Sequence, residues 1–119
     1  MAWKYEQSTG ELLRDGERVG TGYSGHGTGI NNQALQGLRN VGPIPLGLYD
    51  IGDAFKHKSK GEITMRLTPI DHDAQGRSGF LIHGDNKLLN RTGSHGCIVL
   101  SRSIRELIAA SEETELEVV

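Results

Sequence analysis

The single cysteine and a histidine upstream of it are the residues of this sequence best suited to covalent chemistry. Cys97 follows Ser94-His95-Gly96 and precedes the apolar run Ile98–Leu100, while His83 ends the apolar run that begins at Gly79. An unperturbed thiol has a pKa of about 8.5, and an imidazole that removes its proton leaves a thiolate able to attack a carbonyl carbon. Two strands that end side by side would bring these groups together. The pattern predicts Cys97 as a nucleophile and His83 as its base.

The residues just before the cysteine are predicted to shape the nucleophile turn. Gly96 allows close approach of the backbone, and the N–H groups around Gly96 and Cys97 are candidates for an oxyanion hole. Ser94 and His95 are predicted to support this turn or to line the substrate groove.

A group near His83 must orient the imidazole. Asp85 is close in sequence, and the backbone carbonyl of Gly84 offers a second way to hold the other ring nitrogen. Both residues are therefore predicted to orient the base.

Two other interpretations of Cys97 carry less weight. An unpaired cysteine is often a small buried apolar residue, but the flanking glycine and the two nearby histidines favour catalysis. A zinc site from His83, His95 and Cys97 would match no standard ligand spacing. The sequence Asp71-His72-Asp73 is predicted to be an exposed turn. Neither a metal nor a cofactor is predicted.

The composition limits the function classes. A length of 119 residues suits one domain, taken here as residues 1–119, with one core. A net charge of −2 gives no electrostatic case for binding nucleic acid. The apolar runs fall far short of the ~20 residues that span a bilayer, and no secretory signal peptide is apparent. One cysteine excludes an internal disulfide.

The secondary-structure pattern predicts a mainly β fold, because 17 glycines are spread among short apolar segments. A long loop is expected at 24–47 and a solvated turn at 55–61. Ser103 and Glu106 have the capping-box spacing, which predicts a short helix to about Ser111 with Ile104, Leu107 and Ile108 on one face. The predicted strands are 3–7, 11–14, 17–23, 48–54, 62–68, 79–83, 98–100 and 115–119.

Several segments together resemble a known family. Ser94-His95-Gly96-Cys97-Ile98, with His83-Gly84 upstream, resembles the signature of the L,D-transpeptidase catalytic domain. Tyr23-Ser24-Gly25 and the stretches 40–49 and 77–85 resemble the small L,D-transpeptidase-like effectors of type VI secretion. The similarity runs from Trp3 through nearly the whole chain.

The resemblance implies a single compact L,D-transpeptidase-like β domain that forms a cysteine acyl-enzyme on peptidoglycan stem peptides. Cys97 would attack the diaminopimelate carbonyl that precedes the terminal D-alanine, and His83 would transfer the proton. Water as acceptor gives an L,D-carboxypeptidase, a free D-amino acid gives exchange, and a second stem gives a cross-link. The preferred acceptor stays open.

An effector role further implies an antibacterial toxin that is made in the cytoplasm and delivered without a signal peptide. It would act in the periplasm of a target bacterium, where trimmed tetrapeptides no longer serve as cross-linking donors. Its expected partners are stem peptides, an immunity protein and a component of the secretion apparatus. A chain that stayed in the cytoplasm would fit muropeptide recycling instead.

The sequence departs from housekeeping L,D-transpeptidases in two ways. They usually carry an arginine two residues after the cysteine, where this chain has Val99, and their stretch between histidine and cysteine is longer. Binding of the substrate carboxylate is therefore assigned to Arg77 or Arg102, which can make bidentate contacts. Tyr23 and Ser24 are assigned to substrate binding as well.

Two other functions remain as alternatives. One is a cysteine peptidase of cell-wall peptides of the NlpC/P60 type, although those place the cysteine before the histidine in the chain. The other is a non-catalytic cell-wall-binding module with an inert cysteine.

Overall fold

The computed structural model describes residues 3–85, 94 and 96–119. The described residues form ten strands and one α-helix, which confirms the mainly β fold with a short helix near the C-terminus. The strands are β1 (Trp3–Tyr5), β2 (Glu11–Arg14), β3 (Glu17–Thr21), β4 (Tyr23–Ser24), β5 (Gly47–Ile51), β6 (Phe55–His57), β7 (Gly61–Ile70), β8 (Phe80–His83), β9 (Ile98–Val99) and β10 (Glu115–Val118); the helix is α1 (Arg102–Ala110).

The strands form one mixed sheet in the order β3-β2-β1-β10-β5-β7-β8-β9-β4, with β6 paired to β7 beside this path. The predicted hairpin at Asp15-Gly16 joins β2 to β3, and both residues have positive φ, as a primed turn requires. Most pairs are antiparallel, but β1 runs parallel to β10 and β8 parallel to β9. In the second parallel pair, the candidate base His83 ends β8 and the candidate nucleophile Cys97 directly precedes β9.

The core lies between the sheet and α1, where alternate strand residues point inward. Its largest fully buried side chains are aromatic and aliphatic: Trp3, Tyr5, Tyr49, Leu12, Ile44, Met65, Ile82, Ile98 and Leu116. Burial of such side chains contributes about 1.5–3 kcal/mol each relative to leaving them exposed. The sheet is therefore a rigid base for the residues at the ends of β8 and β9.

The helix differs from its predicted form at both its cap and its face. Its N-cap is Ser101, whose hydroxyl accepts from the Ile104 N–H, rather than Ser103. Leu107 is half exposed, while Arg105 and Ile108 are buried. The predicted capping box was wrong because another serine, Ser101, lies two residues earlier. The preceding extended segment ends at Ser101, and this residue caps the helix instead of Ser103.

The segment predicted as a solvated turn at 55–61 instead contains β6, which forms a hairpin with β7. Its turn is capped by His57, whose Nδ1 accepts from the backbone N–H groups of Ser59 and Lys60 at 3.0 Å each. Strand β7 runs to Ile70, two residues beyond its predicted end. In the loop predicted at 24–47, short 3₁₀ turns occupy Gly27–Gly29 and Gln33–Leu35.

No helix within the described ranges is long and apolar enough to cross a membrane.

Candidate active site

The parallel pairing of β8 and β9 brings Cys97 and His83 to neighbouring positions, because His83 ends β8 and Cys97 directly precedes β9. Ile82 lies opposite Ile98 and His83 opposite Val99, so Cys97 lies opposite Leu81. Diagonal neighbours on paired strands have Cα atoms about 7–8 Å apart, within reach of side chains as long as these.

His83 is held in one tautomer by the backbone. The residue is only 1% exposed, and its Nδ1 donates to the Gly84 carbonyl at 2.6 Å. Because a carbonyl only accepts, Nδ1 carries the proton and Nε2 has the free lone pair. Nε2 is buried without a hydrogen-bond partner among the described residues. It is the ring atom poised to accept a proton.

Burial also keeps this imidazole neutral. Desolvation lowers the pKa of His83 below its ordinary value, and the positive charges of Lys60 and Arg105 lower it further, against the opposing hydrogen bond to Gly84. A neutral imidazole at neutral pH is the form that acts as a general base.

The thiol of Cys97 is half-buried and protonated at rest. Burial raises its pKa, while the Leu81 backbone N–H and the charges of Lys60 and Arg77 partly offset this rise. Sγ lies 3.9 Å from the Gly79 carbonyl, to which the thiol donates weakly. The thiol and imidazole are therefore not hydrogen bonded to one another in this arrangement. Catalytic hydrogen bonds are often long before substrate binds and tighten in the complex.

Ser94 organises the turn before the nucleophile. It is fully buried, and its hydroxyl donates to the Cys97 carbonyl at 2.7 Å while accepting from the N–H groups of Gly25 and Gly96. The Gly96 N–H is therefore engaged inside the turn rather than directed at a ligand. His95, also assigned to this turn, lies outside the described residues.

Ser24, which was predicted to bind substrate, fixes the same turn from the neighbouring strand. Its buried hydroxyl donates to the Gly96 carbonyl at 3.1 Å and accepts from the Ile44 N–H at 2.8 Å. A hydroxyl with both roles filled inside the protein positions the backbone around it.

Arg77, predicted to bind a substrate carboxylate, instead holds a loop beside the cysteine. Only 7% of the residue is exposed, and its guanidinium donates to the carbonyls of Gln36, Pro43 and Gly42 at 2.6, 2.7 and 3.0 Å. Its Nη2 occupies the space that a Cβ on Gly96 would need. Gly96 has φ +135° as well, so both space and backbone conformation require glycine there.

Arg105 plays a corresponding part beside the histidine. This buried residue donates from Nε to the Leu100 carbonyl and from Nη1 to the carbonyls of Glu62 and Ile63. A Cβ on Gly84 would lie 2.7 Å from its Nη2. The helix residue thus supports the backbone whose carbonyl orients His83.

A cavity of about 370 Å³ opens directly beside the thiol. Cys97, Gly96 and Gly79 line it on the sheet side, and Arg39 and Asn40 line it on the loop side. This cavity is large enough for the end of a peptide and exposes the nucleophile to it.

A second cavity, of about 390 Å³, lies towards the histidine side. Tyr23, Asp85 and Arg102 contribute to its lining. The Tyr23 hydroxyl donates to the Asp85 carboxylate at 2.6 Å, so Asp85 binds this tyrosine while the Gly84 carbonyl binds the imidazole. Arg102 is exposed and pairs with Glu62 at 3.4 Å and Glu106 at 3.8 Å, away from the cavity that contains Cys97.

The described residues contain no group of three or more histidine, cysteine, aspartate or glutamate side chains able to hold a metal ion. His72 of the Asp71-His72-Asp73 segment is a structural residue. Its Nδ1 accepts from the Ala74 N–H, which leaves Nε2–H to donate to the Leu48 carbonyl at 2.9 Å.

Comparison with known proteins places the chain in a family. Residues 18–119 match the Tlde1 domain, whose members are L,D-transpeptidase-like effectors of type VI secretion. The chain belongs to the Tlde1 domain family.

Solved structures with this fold are L,D-transpeptidases. A cysteine-to-serine mutant of the Enterococcus faecium enzyme superposes with a TM-score of 0.60 at 17% identity, over 99% of this chain and 49% of that one. L,D-transpeptidase 1 of Mycobacterium tuberculosis superposes with a TM-score of 0.55 at 19% identity, over 99% of this chain and 60% of that one. The isolated catalytic domain from E. faecium superposes with a TM-score of 0.55 at 17% identity, over 99% of this chain and 95% of that one. No curated protein matches the chain.

The Tlde1 domain thus spans about half of the longer structures and nearly all of an isolated catalytic domain. At these identities the likeness concerns the fold.

Three basic residues of this site escaped the sequence interpretation: Arg39, Lys60 and Arg105. Arg105 had a usable signal, because it directly follows Ile104 and precedes Ile108 by three residues, which puts it on the buried face of α1. Arg39 and Lys60 had none, because each lies in a polar loop whose path depends on distant residues.

Proposed function

We propose that this Tlde1 domain is a cysteine-dependent L,D-carboxypeptidase with D-amino-acid exchange activity on peptidoglycan tetrapeptide stems. The observation that carries the proposal is the buried Nε2 of His83, which has no hydrogen-bond partner among the described residues, on the strand paired with the segment that carries the half-buried thiol of Cys97 and its adjoining cavity. Nδ1 donates to Gly84, so the free lone pair lies on Nε2, which no described residue engages. Membership of an L,D-transpeptidase-like family supports the choice of substrate.

The reaction begins from a neutral pair. As substrate enters, the thiol turns from Gly79 to Nε2 of His83, which takes its proton while Sγ attacks the diaminopimelate carbonyl carbon. The Cys97 backbone N–H stabilises the oxyanion, because the Gly96 N–H is engaged by Ser94. Collapse of the tetrahedral intermediate breaks the peptide bond, and the imidazolium of His83 returns the proton to the departing D-alanine amine.

The resulting thioester is then resolved by an acceptor. Water, deprotonated by the neutral His83, yields the tripeptide acid and the free thiol. A D-amino acid attacking through its amine yields a tetrapeptide with an exchanged last residue. Both routes restore the thiol and neutral imidazole, so no oxidant or cofactor enters the balance.

Mass spectrometry of a purified disaccharide-tetrapeptide tests this function. Wild-type protein should release one alanine, and it should incorporate an added D-amino acid at the same position. Cys97→Ala and His83→Gln should do neither, while Arg18→Gln, an exposed arginine of β3, should match wild type. Cleavage within the stem would replace the proposal with an endopeptidase, and an unchanged tetrapeptide with every variant would refute it.

An antibacterial role in the periplasm is part of the same proposal, as are an immunity protein and a secretion partner. Expression of the chain fused to a periplasmic targeting signal should lyse a bacterial host, whereas cytoplasmic expression should not. The Cys97→Ala variant should be harmless in both compartments. Equal toxicity of Cys97→Ala would show that lysis does not depend on the catalytic thiol.

A further inference from the structure

The cavity beside Cys97 has a positively charged wall. Its lining includes two arginines, Arg39 and Arg77, and contains no acidic side chain among the residues that the structure describes. A ligand group that enters beside the thiol therefore meets a site suited to an anion.

The two arginines differ in how much of their hydrogen-bonding capacity is free. Arg77 is buried and donates to three loop carbonyls. Arg39 is exposed and makes no hydrogen bond or ion pair with any other described residue. Its guanidinium, always protonated, retains a planar fork of donors that matches a carboxylate.

The backbone under Arg39 is nevertheless well fixed. The Leu38 carbonyl accepts from the N–H groups of Val41 and Gly42, at 3.3 and 2.9 Å, which closes the chain around Arg39. Arg77 binds the carbonyls of Gln36 and Gly42 on either side. A long cationic side chain thus projects from a rigid loop at the mouth of the nucleophile's cavity.

Arg102, the other candidate for carboxylate binding, has different surroundings. It lines the second cavity and is paired with Glu62 and Glu106, so two carboxylates already compete for its charge. Arg39 has no such competitor among the described residues.

From these observations we infer that Arg39 binds the free C-terminal carboxylate of the peptide whose last residue is released at Cys97. The assignment rests on the proposed function and identifies the feature of the substrate that the site recognises. Only the last residue of a peptide carries a main-chain carboxylate, because an internal residue presents a neutral amide in its place. A guanidinium that binds this carboxylate beside the thiol therefore makes the site selective for chain ends.

Binding to the inactive Cys97→Ala protein tests this assignment independently of turnover. The ligands are a tetrapeptide stem with a free C-terminus and the same peptide as a C-terminal amide. Titration calorimetry should show the acid binding about 10–100-fold more tightly than the amide, as expected for a hydrogen-bonded ion pair. Adding Arg39→Gln should reduce this ratio to about one by weakening only the acid. Adding Arg39→Lys should preserve part of it.

Two matched controls sharpen the measurement. Arg18→Gln removes an exposed arginine far from the cavity and should leave the ratio unchanged. Lys60→Gln removes the cation that acts on both Cys97 and His83. A ratio that persists in Arg39→Gln, or that disappears in Lys60→Gln instead, would overturn the assignment, as would binding of neither peptide.

Turnover separates this inference from the proposed function. If wild-type protein releases no alanine while the Cys97→Ala protein still prefers the acid through Arg39, the carboxylate site stands and the reaction is wrong. If wild type releases alanine from the acid and alaninamide from the amide at equal kcat/KM, the reaction stands and the role of Arg39 is wrong.

Discussion

The two candidate catalytic residues, Cys97 and His83, are each supported by a glycine packed against a buried arginine, but the two arginine charges act on groups of different type. We call Gly96 and Arg77 the cysteine flank. There the guanidinium of Arg77 packs against Gly96 and binds three carbonyls of one loop. We call Gly84 and Arg105 the histidine flank. There the guanidinium of Arg105 packs against Gly84 but binds carbonyls from β7 and from the segment leading into α1. The buried arginines organise backbone, which leaves exposed cations available for ligands.

The positive charge of each arginine lowers the pKa of the group on its flank, but one group is a thiol and the other is an imidazole. Arg77 lowers the pKa of Cys97 and so opposes the effect of burial on the thiol. Arg105 lowers the pKa of His83 and so adds to the effect of burial on the imidazole. The charge of Arg105 thus favours the neutral imidazole of His83, and the charge of Arg77 favours the thiolate form of Cys97.

The largest expected effect is on turnover when either flank loses its reacting group. Cys97→Ala and His83→Gln should each lower kcat by about 10³-fold or more, because each step of the reaction needs both residues. The double variant should be no slower than the slower single variant, since residues that act as a unit are not additive. Multiplicative losses in single-turnover kinetics would show that the two flanks act independently.

Glycine substitutions should distinguish the flanks through stability. Gly96→Ala should lower the free energy of unfolding by about 2–5 kcal/mol, because it adds both a clash with Arg77 and a strained positive φ. Gly84→Ala should cost about 1–3 kcal/mol from its clash with Arg105 alone. Urea unfolding would measure both.

A double-mutant cycle provides the control for these glycines. Most of the cost of Gly84→Ala should disappear in an Arg105→Met background, whereas Gly96→Ala should keep its backbone cost in an Arg77→Met background. If both glycine variants regained the same share of their lost stability, the cost assigned to the positive φ of Gly96 would be wrong.

The pH dependence of stability should also separate the flanks. Because the pKa of folded His83 lies below 6.5, the unfolded chain binds more protons as pH falls through 6.5, and stability drops. Because burial raises the pKa of folded Cys97 above the ordinary value of a thiol, the folded protein keeps a proton that the unfolded chain loses as pH rises through that value, and stability drops there too. Urea midpoints should show a weaker acid loss in His83→Gln and a weaker alkaline loss in Cys97→Ala. The reverse assignment would refute these directions.

The smallest effect should come from Lys60, whose charge lowers the pKa of both Cys97 and His83. In Lys60→Gln the pKa of His83 rises, so the acid limb of the kcat/KM profile should move to higher pH. The change should stay under about tenfold in rate at neutral pH, because the lysine is partly solvated and its charge is screened. An acid limb that stays at the wild-type pH would show that the charge of Lys60 does not act on His83.

The sequence by itself determined much of this molecule where the information was local. Alternating apolar segments and the Asp15-Gly16 turn predicted the opening hairpin, and the apolar runs ending at His83 and beginning after Cys97 predicted β8 and β9. The fold class and the family resemblance were confirmed as well. The roles of individual site residues stay predictions for the experiments above.

Only the tertiary structure decided which polar side chains face inward and which face the cavity. Ser24 and Arg77 bind backbone groups from 20 to 72 residues away in the chain, so their roles depend on partners that no local pattern reveals. Arg39, in a loop with no periodicity, reaches the thiol's cavity because Arg77 fixes that loop. Periodicity records which face of an element is apolar, whereas hydrogen bonding between distant segments appears only once the chain has folded.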